Sequence, residues 1–216
     1  MKALLQKEFT LCAHPTCYIF TALGALMLLI PSYPLYVCFF YITLGLYFVF
    51  LIGNEKRDVA FSVLLPVTKK DLVTARTLLV ITFELATLVL AVLFAWLRYV
   101  LHIPANPVGI DPGVAFFGFV LIQFAIFNLV FLPGFYKTGE KCGKPFLTAT
   151  ALVFLYILVA ETAMHVVPYC KNVLDTNTPS GQAAQLPVLC IGVLIYTAAT
   201  CFACRAAQKR FERVDL

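Results

Sequence analysis

Glu161 and His165 stand four residues apart in an apolar run, so on a helix they share one face. A carboxylate and an imidazole at that spacing suit three kinds of chemistry: a hydrogen bond to another helix or a second copy, contact with a transported substrate or cavity water, and metal or proton binding. A metallopeptidase would need further ligands, and His102, in a loop, is poor material for one. Cys201 and Cys204 have the two-residue spacer of a metal clip, but no second pair and no nearby His completes four ligands. Gly134 to Glu140 has the glycine spacing of a phosphate loop, yet Glu140 stands where Lys is required and no buried strand precedes it. Nowhere do a nucleophile, a base and oxyanion donors gather. The chain reads as one with no catalytic residue, metal or cofactor site of its own.

The elements that must position these groups follow from composition. The chain is 62% hydrophobic and only 12% charged, with a mean hydropathy of +0.92, against about 25% charged in soluble domains. An all-α, polytopic integral membrane protein forming a single transmembrane domain over 1–216 is expected. The charge-free stretch 16–52 would be roughly 55 Å long as one helix, too long for a core of about 30 Å. Pro31 and Pro34 break it into spans at 16–30 and 35–52. Further spans are expected at 77–100, 113–132, 145–167 and 186–204, six in all. Except for Arg98 and Lys171, every Lys and Arg then falls on one side, which the positive-inside rule makes cytoplasmic together with both termini. The net charge of +5 reflects this topology and gives no reason to expect nucleic acid. The first apolar run begins late and turns at Pro31, so it reads as an uncleaved anchor in the cell membrane rather than a signal peptide. The eight cysteines read as small packing residues rather than a disulfide framework.

Within this frame a few polar groups stand out. Glu84 lies about 10 Å into the third span, Arg98 falls later on nearly the same face, and with Glu161 and His165 they are candidates for a pathway or its support. Residues 1–14 place Met1, Leu4, Leu5, Phe9 and Cys12 at helical spacing, which suits a helix lying in the membrane interface. His14-Pro15 would end it and turn the chain into the bilayer. Between the second and third spans, 54–76 carries charges at Glu55 to Asp58, then Leu64, Leu65, Pro66, Val67, Thr68, Lys69, Lys70 and Asp71. Thr68 and Asp71 fit a capping box that opens a helix. That helix is either a short amphipathic segment for docking a partner or simply the first turns of the third span, and both readings can hold together.

The order of interfacial helix, two-span hairpin, "NEKRDVAFSVLLPVTKKDLVTAR" and third span resembles the membrane subunit of type-2 ABC exporters. The specific match is Glu55 followed by Leu65-Pro66-Val67-Thr68-Lys69-Lys70-Asp71. The resemblance implies six spans, cytoplasmic termini, and a coupling helix between spans 2 and 3 in which Leu64 to Asp71 engage an ABC ATPase. It further implies two copies of the chain forming a pathway, with ATP and Mg held by two separate ATPase subunits. Among small stand-alone members the chain is most similar to those that export amphipathic helical peptides. Its connections at 101–112 and 168–185 are shorter than in larger relatives, leaving open whether 168–185 forms re-entrant helices. Two other classes remain: an intramembrane enzyme, such as a protease or lipid-modifying protein, and a membrane module that senses a peptide or confers immunity without transporting it.

Overall fold

The computed structural model describes residues 2–55, 62, 67–138, 141–176 and 178–214. Helix α1, Lys2–Lys7, runs on into a π-helical turn, Glu8–Cys12. His14 then turns extended and its ring accepts from the Thr16 amide, starting α2, Pro15–Leu26, which closes in a 3-10 turn at Met27–Leu29. The other long helices among the described residues are α3, Leu35–Glu55; α4, Lys69–Val100; α5, Val114–Phe135; α6, Gly143–Val166; and α7, Pro179–Phe211. No strand occurs among the described residues. Among the described residues five helices are long and apolar enough to cross a membrane, and the pair Ala3–Cys12 and Pro15–Leu29, bent by 81°, makes a sixth if counted as one span. The bend is the one expected at His14-Pro15: the residue before proline leaves helical geometry, and proline at the first helical position is preset for the next helix.

Two boundaries differ from expectation. Helix α4 begins at Lys69 rather than near 77, so the capped segment is continuous with the third span. Helix α7 extends beyond 186–204 at both ends. At 1.5 Å per residue these helices of 32 and 33 residues are roughly 50 Å long, so each projects well past a core of about 30 Å. Among the described residues of 168–185, Cys170–Leu174 form a five-residue π-helical turn and Pro179 opens α7.

Successive helices alternate in direction, gathering Lys69, Lys70, Lys137 and Lys209 at one end, here the basic end. Helix α5 forms the centre: 61% of its most apolar window is buried, against 22% for α6 and α7. The rim helices turn Leu147, Leu155, Leu158, Leu194 and Phe202 outward, as a lipid-facing surface requires. The most extensive contact joins α5 to α7. It is possible because Gly118 and Gly192 face each other: a Cβ on Gly118 would sit 2.7 Å from the Val188 carbonyl oxygen, and one on Gly192 would strike the Gly118 carbonyl. Small residues of this kind let helix backbones approach in membranes, where packing replaces the hydrophobic drive. The centre is otherwise filled by rings, with Phe50 edge-on to Phe131 and Phe135 and Phe39 edge-on to Phe116 and Phe124.

Candidate coupling surface and buried polar sites

At the basic end the start of α4 is built as its sequence demands. Thr68 caps the helix, its hydroxyl accepting from the Asp71 amide at 3.1 Å and donating to Asp71 Oδ2 at 2.7 Å. Asp71 in the first turn also complements the positive end of the helix dipole. Val67 precedes the cap in a bend, while Leu64, Leu65 and Pro66 lie outside the described residues. The two lysines face different ways. Lys69 Nζ donates to the Val214 carbonyl at 2.7 Å and lies 5.7 Å from the centre of the Phe211 ring. Lys70 is exposed and pairs with Glu212 at 3.1 Å. One turn deeper, Gln208 Nε2 donates to Thr74 Oγ1 at 2.9 Å. Phe211 is fully buried edge-on to Tyr136, and Arg210 donates to the carbonyl of Pro133, in the last turn of α5.

Beside this junction the interfacial segment is fastened to α4. Arg76 Nε donates to Glu8 Oε2, Arg76 Nη2 lies 3.2 Å from the Cys12 sulfur, and the guanidinium sits 5.4 Å from the Phe50 ring centre. Lys7 Nζ adds a second cation 3.3 Å from Glu8 Oε1. Both Glu8 and Arg76 are buried. Lys7, Glu8, Ser62, Leu72, Arg76, Tyr136 and Phe211 line a half-open pocket of about 10 Å³, room for about one water. Sequence reasoning missed this pair although the signal was present: Glu8 falls on the apolar face with Leu4, Leu5 and Cys12, where a lone carboxylate needs a buried partner.

The candidate pathway residues fall into two separate places. Glu84 is fully buried mid-bundle, where its Oε2 accepts from Asn128 Nδ2 of α5 at 2.9 Å and from the Tyr196 hydroxyl of α7 at 2.7 Å. Asn128 also reaches Thr200 at 3.4 Å. This arrangement ties α4, α5 and α7 together. Arg98 does not share it. At the opposite end its guanidinium donates to the carbonyls of Leu28, Ile30 and Pro104 at 2.8, 3.3 and 2.7 Å and approaches Asp111 at 3.7 Å. The closing residues of α2 and the loop after α4 are thereby held by one side chain.

Glu161 and His165 do share a face, and both press on that same loop. His165 Nε2 lies 3.0 Å from the Val108 carbonyl, and the Glu161 carboxylate fits against the backbone of Gly109, where a Cβ would overlap it. Asp111 Oδ1 accepts from the Asn106 amide at 2.9 Å, Asn106 Nδ2 donates to the Tyr33 carbonyl at 3.0 Å, and the Asp111 amide donates to Asp175 Oδ1 at 2.8 Å. Burial holds the Asp175 carboxyl above its ordinary range, with the Asp111 amide pulling the other way. His102 has φ of 53° and closes α4: its amide donates to the Tyr99 carbonyl and that of Ile103 to the Arg98 carbonyl, a helix-ending motif that usually takes glycine. Among the described residues no three of His, Cys, Asp and Glu converge as metal ligands do. Cys142, ahead of α6, is buried, and burial pushes its thiol up, away from the reactive thiolate.

No curated protein and no solved structure matches the chain. A family model described as "ABC-2 family transporter protein" matches residues 3–206, nearly the whole sequence. That match spans α1 through most of α7, including the α4 start at Lys69 and the buried Glu84 site, and ends before the α7 residues that meet Lys69 and Lys70. The chain belongs to the ABC-2 family of transporter proteins.

Proposed function

We propose that this chain is the permease subunit of an ATP-driven exporter, that a separate ABC ATPase docks on its basic end, and that two copies flank one pathway. The observation that carries the reading is the first turn of α4: a capped helix start, directly after the 54–66 segment, that presents exposed Lys70 outside the apolar bundle. Because α4 is unbroken from Lys69 to Val100, a displacement applied there travels along the full span without a hinge. The basic end is cytoplasmic, where the ATPase finds ATP and Mg, and both termini lie on that side. The substrate class is an amphipathic or hydrophobic peptide, of which the phenol-soluble modulins are the example suggested by the chain's likeness to small stand-alone members of the exporter family. The exposed apolar rim formed by α6 and α7 supports this class, since it gives lipid and a greasy peptide the same surface to meet.

The test is affinity purification of the tagged chain in mild detergent, with and without the double reversal Lys69→Glu and Lys70→Glu. An ABC ATPase that co-purifies with the wild-type chain and is lost from the reversed one supports docking at this junction. A folded wild-type preparation without any ATPase would overturn the exporter reading.

A further inference from the structure

Resting on the docking reading above, we infer that the last turns of α7 and the first turns of α4 form one rigid lever, so that a load on the coupling segment moves both helices together. Lys69 is a positioning residue inside this lever, and Lys70 is the lysine that meets the ATPase.

The geometry at the basic end requires no partner to be understood. Helices α4 and α7 are both longer than a bilayer core of about 30 Å requires, and the start of α4 lies beside the end of α7. Gln208 to Thr74 at 2.9 Å ties the two helices directly, and Lys69 to the Val214 carbonyl at 2.7 Å and Lys70 to Glu212 at 3.1 Å tie the start of α4 to the turn that closes α7. A strap meant to be displaced would be held at its surface alone. Here Phe211 is fully buried against Tyr136, and Arg210 grips the Pro133 carbonyl of α5, so the turn is anchored to α5 as well. Lys69 spends its ammonium inward, on a carbonyl and a ring face, and cannot reach a docked protein without breaking both contacts. Lys70 keeps 59% of its side chain exposed, and a partner can add to its pair with Glu212 rather than replace it. The lever gives the ATPase a grip on two spans at once. Since α7 packs along α5, the push is delivered to the centre of the bundle.

Three measurements test this. In the complex, Lys69→Met keeps the stem over Phe211 but loses the bond to Val214. It is expected to retain the ATPase while substrate-stimulated hydrolysis falls about tenfold relative to basal, a typical coupling magnitude. Lys69→Arg restores the ratio. Lys70→Glu is expected to lose the ATPase itself. Thr74→Cys with Gln208→Cys, joined by a short bifunctional thiol reagent, should link readily and keep the stimulated rate of the same protein before linking; each single variant treated alike accounts for native cysteines. The inference is overturned if Lys69→Met matches wild type, if it loses the ATPase as Lys70→Glu does, if no link forms, or if the link forms and stimulation disappears. Absence of the ATPase from the wild-type preparation is the failure of the docking reading, seen before any variant is made, and this inference falls with it.

Discussion

Glu8 and Arg76 meet where water is largely excluded, and a charge left there alone is expensive. Breaking one side of such a pair costs about 3 kcal/mol or more, because the remaining ion stays buried without its counter-charge. Glu8→Ala should therefore lower the thermal midpoint of the detergent-solubilised protein by several degrees, and an unchanged midpoint would show that the pair is not buried in solution. The pair also shows where reading single residues succeeds and fails. Thr68 and Asp71 were legible as a cap because capping is local and needs only a spacing of three. Arg76 was counted as one more cytoplasmic charge, since nothing in a linear pattern tells a cation facing water from one 68 positions away from its carboxylate. Arg98 and Glu84 sit on nearly one face of α4 yet serve unlike surroundings, because burial at each depth is decided by other helices.

The close approach of α5 to α7 depends on two hydrogens in place of side chains. Gly192→Ala would drive a methyl group into the Gly118 carbonyl, which is backbone and cannot rotate away. Overpacking of this sort costs about 1–3 kcal/mol. The variant should unfold at lower temperature than wild type, and equal midpoints would refute tight packing at this crossing. The turn that leads into α7 carries a pH dependence through Asp175. Its carboxyl is raised by burial, so the folded state holds the proton more tightly than the unfolded chain. Stability from this group is full below the unfolded value of about 3.9 and falls as pH rises through the folded one. Asp175→Asn keeps an oxygen for the Asp111 amide but has nothing to ionise. The difference in thermal midpoint between variant and wild type should thus favour the variant at pH 8 and shrink toward pH 4; because Asp175 is partly exposed, the gain is below about 1 kcal/mol. A difference that stays constant with pH would remove Asp175 as its source. Hydropathy placed these helices to within a few residues where apolar runs end in loops. It truncated α4 and α7, whose projecting turns are polar and owe their helicity to the cap at Thr68 and to each other.

Seen whole, the chain is a bundle with nearly all its cations at one end, and that asymmetry is a statement about which side of the membrane each end occupies. Lys171→Cys should react with an impermeant thiol reagent added outside the cell and Lys137→Cys should not, measured over the parent chain; the reverse pattern would invert the topology. The gathering of cations at one end was readable from sequence, because the order of the spans decides which connections share an end. Which polar groups meet in the interior was not, since it depends on contacts among helices far apart in the chain. The order in which those helices are made gives the buried ion pair a history. Glu8 leaves the ribosome 68 residues ahead of Arg76, which at about 5–20 residues per second is an interval of several seconds. During that time the α2–α3 hairpin can enter the bilayer, but the Glu8 carboxylate has no guanidinium to receive it and must wait among water and headgroups. A segment made before the hairpin thus settles only after it, and its arrival marks the moment when the third span has come home.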